Sequence, residues 1–340
     1  MSTAIGASVP QLEDKLETLA KSLFNDPRVR SLGIGGNFSA PEFVAVRNSA
    51  IIMPYAAAGA VEEVAWFAGL PIKYEDTPGE IDSYLRIPVI RPMASNVIEQ
   101  QKKRPLCIGL EVQNFDADNR SGFIDQGMMT VGTLGCFVQN GNKFALLSNN
   151  HVLAGENSGH LGSDRILQPG DGQLKEDFQV ATLSKSIDLV PSPQSATIAN
   201  GQVHLNLVDA AIADLIDGID FNQHYHDNRP GLPKIKSSGD PVLGDRVLKV
   251  GRTTGLTRGE VKQITTIVGP VAYKPGLCWF RRSFVIEGVN GSKFSDHGDS
   301  GSAIVTEEGK LLGLLYAGNG RQTYACPISE VFTALDVRLV

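Results

Sequence analysis

No run of about 18 apolar residues occurs in this 340-residue chain, so no membrane-spanning helix is expected. An excess of positive charge is missing too. The 31 Lys and Arg stand against 37 Asp and Glu, a net charge of −6, the wrong sign for a nucleic-acid binder. Cysteine is scarce, with only Cys107, Cys136, Cys278 and Cys326. None of them forms a Cys-x-x-Cys pair, which argues against a zinc or dithiol site. A His-Glu-x-x-His pattern, a phosphate-binding glycine loop and a dinucleotide fingerprint are also absent, so no metal or other cofactor is expected. Residues 1–10 have neither a basic region nor a long apolar core, so no secretory signal is expected. The cytoplasm is then the expected compartment, with the four thiols reduced and buried as small hydrophobes.

What the chain does have is glycine (36), proline (18) and many short apolar runs within a composition that is 42% apolar. That combination predicts a mainly β protein built from two or three compact units. Residues 1–105 read as a small α+β region of unknown role. Leu12, Leu16, Leu19 and Leu23 form one stripe of an amphipathic helix over 12–23. Packing against the body is the preferred reading of that stripe; a homo-oligomer contact is the alternative. Residues 29–34 and 43–46 look like strands, residues 58–68 like a helix, and 98–104 like a polar connector. Further on, Asn140-Gly141 between two apolar runs predicts a hairpin with a type I′ turn. Residues 155–202 form a Gly-, Ser- and Pro-rich excursion that either shapes a cleft or packs on the body.

Gly298-Asp299-Ser300-Gly301-Ser302, just before the apolar Ala303-Ile304-Val305, carries the most chemistry. Flanking glycines let the backbone bend sharply and leave its amides open to an approaching carbonyl. A serine hydroxyl is a poor nucleophile alone and needs a base with an orienting acid. His151 fits the base: the apolar run Phe144-Ala145-Leu146-Leu147 ends in Ser148-Asn149-Asn150, and the imidazole follows at once. His160, His224 and His226 lie in polar, turn-rich sequence and read as solvated, and His297 as a surface residue. Asp209, beside the apolar Ala210-Ala211-Ile212-Ala213, fits the acid, because a carboxylate next to a buried strand needs a partner. Asp188 lies in weaker strand context. Asp214 is five residues beyond Asp209, which puts it on the opposite side of a strand.

The order His151, Asp209, Ser300 resembles that of trypsin-like serine peptidases of the chymotrypsin fold. Val250-Gly251-Arg252-Thr253-Thr254-Gly255, Leu311-Leu312-Gly313-Leu314-Leu315-Tyr316-Ala317-Gly318 and Tyr324-Ala325-Cys326-Pro327-Ile328 carry the likeness further. Bacterial cytoplasmic trypsin-like proteins, and more distantly the plant narrow-leaf peptidases, share features of this kind. The resemblance implies a mainly β fold of two six-stranded antiparallel β-barrels within residues 106–340. The first would cover about 106–218 and the second about 241–330, with a C-terminal helix after it. It also implies that Gly298 and Ser300 supply oxyanion-hole amides. The specificity pocket would begin at Phe294, Ser295 and Asp296. Tyr316, Ala317 and Gly318 would pair with an extended peptide. In activated relatives the acid equivalent to Asp299 pairs with a newly cut N-terminus. Here more than 100 residues precede the domain, so another partner, or remodelling by a ligand, is expected.

The function implied is a serine endopeptidase acting on protein or peptide substrates through an acyl-enzyme, with no membrane and no nucleic acid involved. The alternatives are a pseudoprotease or peptide-binding regulator that uses the same cleft without turnover, and an esterase that shares the acyl-transfer chemistry.

Overall fold

Gly255–Tyr273 and Gly276–Gly288, strands of 19 and 13 residues, make the longest hairpin of the molecule, and most other strands are placed by it. Both far exceed the usual strand of about 5–6 residues. Their pairing slips register at four points, so different stretches of the hairpin face different neighbours. The structure is a computed structural model that describes residues 9–37, 40–51, 65–83, 87–88, 97–198, 200–226 and 231–340.

Among the described residues, the strands assemble into one 12-stranded and one 8-stranded sheet, plus two isolated two-strand pairings. Two six-stranded antiparallel barrels are therefore not what forms. The larger sheet is extended because the hairpin offers a long backbone edge, and residues of the N-terminal region cover it. Val29–Asn37 pairs antiparallel with the Gly255–Tyr273 strand, and Ala40–Asn48 pairs with Val29–Asn37. Leu70–Thr77 then runs parallel to Ala40–Asn48, so the sheet is mixed. The smaller sheet stays open, with Arg338–Leu339 at one edge and Val131–Thr133 at the other.

Several local expectations also change. The excursion after His151 contributes Arg165–Leu167 and Gln179–Ser186 to the 8-stranded sheet, because Ile166, Leu167, Val180, Ala181 and Leu183 are all buried. Of the expected 58–68 helix, residues 58–64 lie outside the described residues. Trp66–Phe67 is a short strand that turns back through Ala68 and Gly69, both at positive φ. The hairpin turn near residue 141 is Gly141-Asn142, between paired Asn140 and Lys143, one residue later than expected; only Gly141 has positive φ. The connector is not loose, since Gln168 bonds to both Gln101 and Lys103.

The N-terminal helix, Val9–Leu23, buries Leu12, Leu16, Leu19 and Leu23 against Leu32, Phe43 and Ile267. Phe24 closes its end by an edge contact with Trp279, ring centroids 5.1 Å apart. A larger core cluster is shared by the two sheets: Phe137, Val138, Leu147 and Ile212 from one, Val250, Val268, Phe280 and Tyr316 from the other. The C-terminal helix, Ile328–Leu335, seals this core with Ile328, Val331 and Leu335. The four cysteines are buried and none is disulfide-bonded among the described residues, and burial pushes the Cys136 thiol up to about 12. Among the described residues, no helix is long and apolar enough to cross a membrane.

Candidate active site

The strand Lys143–Ser148 ends in a short helix, Asn150–Leu153, that turns His151 into the protein. Asp209 stands two residues ahead of the next strand over, Ala211–Leu215, which pairs with Lys143–Ser148. This register brings the side chains together. His151 Nδ1 lies 2.5 Å from Asp209 Oδ2, and the backbone N–H of His151 donates to Oδ1 at 3.2 Å. The imidazole is 1% exposed and the carboxylate 0%, so each relieves the other's desolvation. Asn149 Nδ2 holds the Asp209 carbonyl at 2.7 Å, and the Tyr273 hydroxyl donates to Oδ2 at 2.9 Å. Burial, with the Asp209 charge beside it, holds the Tyr273 hydroxyl pKa far above the ordinary phenol value, so it stays a donor. His151 Nε2 is buried and has no hydrogen-bond partner among the described residues.

Ser300 reaches this neighbourhood from the 12-stranded sheet. Thr133 is the joint between the sheets: its N–H donates to the Ser300 carbonyl at 2.8 Å and its Oγ1 to the Gly298 carbonyl at 3.0 Å. Gly298 and Gly301 have φ of +94° and +87°, where a side chain is strained, and a Cβ on Gly301 would strike Ser148 and Thr133. The amides of Asp299, Gly301 and Ser302 are committed to the carbonyls of Asp296, Leu315 and Asp299. The Ser300 hydroxyl is fully buried and donates to the Ser83 carbonyl at 3.0 Å.

Asp299 has a resident cation. Lys249 Nζ lies 3.2 Å from its Oδ2, and both side chains are 0% exposed. Thr253 and Thr254 donate backbone N–H groups to Oδ1 at 2.9 and 3.1 Å. The Thr254 hydroxyl and the Asp296 N–H satisfy Oδ2 at 2.6 and 3.0 Å. A carboxylate with four donors and a buried ammonium fixes the turn without any chain terminus.

The Nal1 C-terminal domain family matches residues 233–325. That stretch carries Lys249, Tyr273, Ser300 and Gly318, but neither His151 nor Asp209. Among solved structures, the chain is similar to a glutamic acid specific serine protease described as using a histidine triad in substrate binding. That pair shares 17% identity at a TM-score of 0.46, covering 69% of this chain and 100% of that one. Protease A of Thermobifida fusca (16%, TM-score 0.43, covering 62% and 91%) and the chymotrypsin of Cellulomonas bogoriensis (16%, 0.41, 61% and 90%) are similar as well. No curated protein matches the chain.

The remaining sequence candidates are spread around this centre. Asp188 is exposed, and Asp214 bonds Asn140 and Lys143 at the end of the strand pair away from Ser148, so neither accompanies His151. His160, His204 and His224 are exposed. His226, expected in solvent, is instead buried beside Glu99 at 3.4 Å, because the connector folds over it. Phe294 packs into a core cluster with Phe284 and Ile286, its ring centroid 5.9 Å from Lys249 Nζ. Ser295 bonds Thr323 at 2.6 Å, and Asp296 pairs with Lys293 at 2.8 Å near the surface. The Tyr316 hydroxyl bonds Ser283 at 2.9 Å within the core, and Ala317 is buried. Gly318 pairs with Asp82 of the N-terminal region.

Sequence reasoning missed Lys249, Tyr273, Thr133 and Ser83. Lys249 left a signal: a lone lysine inside Val247-Leu248-Lys249-Val250 demands a buried anion. Tyr273, Thr133 and Ser83 left none, since each acts through a partner distant in sequence.

Proposed function

We propose that the chain is a serine endopeptidase in which Ser300 is the nucleophile, His151 the general base and Asp209 its orienting acid. The observation that carries this reading is the buried His151–Asp209 pair, 2.5 Å apart, whose outward nitrogen, Nε2, lacks a partner. An imidazole held at Nδ1 by a carboxylate has the tautomer in which Nε2 accepts a proton. Ser300 Oγ attacks the substrate carbonyl carbon and forms the C–O bond, while its proton passes to Nε2. The amine then leaves with that proton as the C–N bond breaks, and water repeats the sequence to release the acid. Among the described residues, the N–H groups of Gly298 and Ser300 have no acceptor, which leaves them for the developing oxyanion. The Lys249–Asp299 pair keeps these amides in place. Tyr316, Ala317 and Gly318 would offer backbone to an extended peptide, with Phe294, Ser295 and Asp296 behind the oxyanion turn.

A second reading has a specific observation behind it. The Ser300 hydroxyl is bonded to Ser83, not to His151, as in a peptide-binding protein that keeps its cleft filled and does not turn over. A fluorophosphonate probe separates the two. The endopeptidase reading expects an adduct that maps to Ser300 and vanishes in Ser300→Ala. No adduct, in either the parent chain or a chain with an opened cleft, would leave the binding reading.

A further inference from the structure

The residues that lie against the candidate nucleophile belong to the chain itself. Ile81, Asp82 and Ser83 follow the strand Leu70–Thr77 and enter the seam in extended form. Their side chains alternate as in a strand: Ile81 is buried in the main core cluster, Asp82 is 54% exposed, and Ser83 is buried. Asp82 N–H donates to the Gly318 carbonyl at 2.9 Å, and Gly318 N–H returns a bond to the Asp82 carbonyl at 3.0 Å. This is an antiparallel bridge on the strand Lys310–Gly318, the strand a bound peptide would extend. On the other side Asp82 bridges Ala272, and Ser83 Oγ donates to the Ala272 carbonyl at 3.3 Å. One residue beyond the Gly318 bridge, the Ser83 carbonyl accepts the Ser300 hydroxyl. Farther along, Ile87–Pro88 pairs with Met128–Met129. Those methionines precede Thr130, which lines a small pocket together with His151. The N-terminal region thus contacts the larger sheet at Gly318 and the smaller sheet's side of the seam at Met128–Met129.

We infer that residues 81–83 are an intramolecular blocking strand: they occupy the peptide path on Gly318, hold the Ser300 hydroxyl away from His151, and must leave before a substrate enters. This regulation rests on the hydrolase reading above. Two features make the block reversible in principle. Its anchors sit just upstream, where Glu80 pairs with Arg30 at 2.9 Å and bonds Asn48, so the strand can lift while the region stays docked. Its hold on the site is one buried apolar side chain, Ile81, the Ser83 Oγ bond to Ala272 and a pair of backbone hydrogen bonds to Gly318, the last of the kind an incoming strand replaces one for one. A tethered strand competes at high effective concentration, so apparent affinity for a free peptide is reduced by the fraction of molecules that are open. With the Ser83 carbonyl gone, the Ser300 hydroxyl is free to donate to the orphan Nε2 of His151.

The test measures access to position 300 without relying on catalysis. A Ser300→Cys chain is treated with iodoacetamide, and alkylation at 300 is followed by peptide mass spectrometry, with and without Asp82→Pro. Proline removes the N–H that donates to Gly318. Alkylation at 300 is expected to accelerate at least tenfold, while Cys107, Cys136, Cys278 and Cys326, all buried, keep their rates. If Asp82→Pro fails to fold by circular dichroism, Ile81→Asp, which expels a buried side chain, takes its place with the same expectation. Equal rates at 300 with and without the variant overturn the inference. So does acceleration at all five thiols, which would mean general unfolding. Fluorophosphonate labelling of Ser300 is run in parallel. An adduct absent from both the parent and the Asp82→Pro chains overturns the hydrolase reading, while the thiol ratio still decides whether the strand blocks the site. Equal labelling in both chains overturns the block and keeps the hydrolase.

Discussion

Asp209 and Asp299 are both fully buried carboxylates, and the molecule treats them in opposite ways. Asp299 is satisfied mostly from its own sheet and turn: the ammonium of Lys249, two threonine amides and one threonine hydroxyl, all within residues 249–254. Asp209 has no lysine or arginine in salt-bridge contact among the described residues; its partners are a histidine and a tyrosine hydroxyl, and the tyrosine comes from the other sheet. The first arrangement fixes a backbone turn. The second holds an imidazole at one ring nitrogen and leaves the other without a partner among the described residues. A lysine beside Asp209 would compete with the imidazole for the carboxylate and, under the proposed function, remove its ability to stabilise a transient imidazolium. A histidine beside Asp299 would make the turn depend on pH.

The sharpest way to break this comparison is Asp209→Asn. Under the proposed function it should lower turnover by about 10³–10⁴ with the fold intact, because the imidazole loses the acceptor that sets its tautomer. A loss under threefold in peptide hydrolysis by an unblocked chain would remove Asp209 from the mechanism. Lys249→Met comes next. It strands a buried carboxylate and should cost about 3–5 kcal/mol in urea denaturation. Adding Asp299→Asn should recover much of that loss, since the uncompensated charge is gone; no recovery would mean that Lys249 matters for packing alone.

A third buried acid sharpens the contrast further. Asp118 accepts from Gln113 Nε2 and Thr130 N–H, both neutral. Burial raises its pKa from 3.8 to about 6, against the pull of those hydrogen bonds. The folded chain then keeps this proton up to about pH 6, whereas the unfolded chain loses it near pH 4. Between these values the folded state binds more protons, so its stability falls as pH rises, by about 3 kcal/mol in total. Asp118→Asn should flatten that fall; a stability profile between pH 4 and 6.5 that keeps its slope in the variant assigns the slope to another group. The smallest effect is expected from Tyr273→Phe. Loss of one donor to a buried carboxylate should cost about 1.5–3 kcal/mol in thermal or chemical unfolding. An unchanged midpoint would show that the Asp209 charge is held without it.

Much of the candidate site was legible in order and context. Gly298 and Gly301 flank Ser300 because the turn needs positive φ, and sequence records that need directly. His151 at the end of an apolar run, and Asp209 beside another, imply paired neighbouring strands, and the register of Lys143–Ser148 with Ala211–Leu215 joins them. The strand architecture was legible only in part. Alternation and glycine content predict β structure, but nothing in residues 29–48 says which edge they will cover. They cover the long hairpin, and among the described residues two expected barrels give way to one sheet of twelve strands and an open one of eight. His226 misled for a similar reason. Its local sequence is polar, and the group that buries it, Glu99, lies 127 residues away.

The amino-acid sequence by itself determined the local demands of this protein: where the chain must turn, which faces are apolar, and which acids and bases need partners. Those demands are set by steric limits and desolvation over a few residues. Tertiary structure alone decided who meets them. That Lys249 answers Asp299, that Tyr273 reaches Asp209 across the seam, and that Ser83 lies against Ser300, 217 residues away, follow from how two sheets and an N-terminal region pack. Partner choice over such distances depends on the summed burial of the whole core, which no short stretch of sequence encodes.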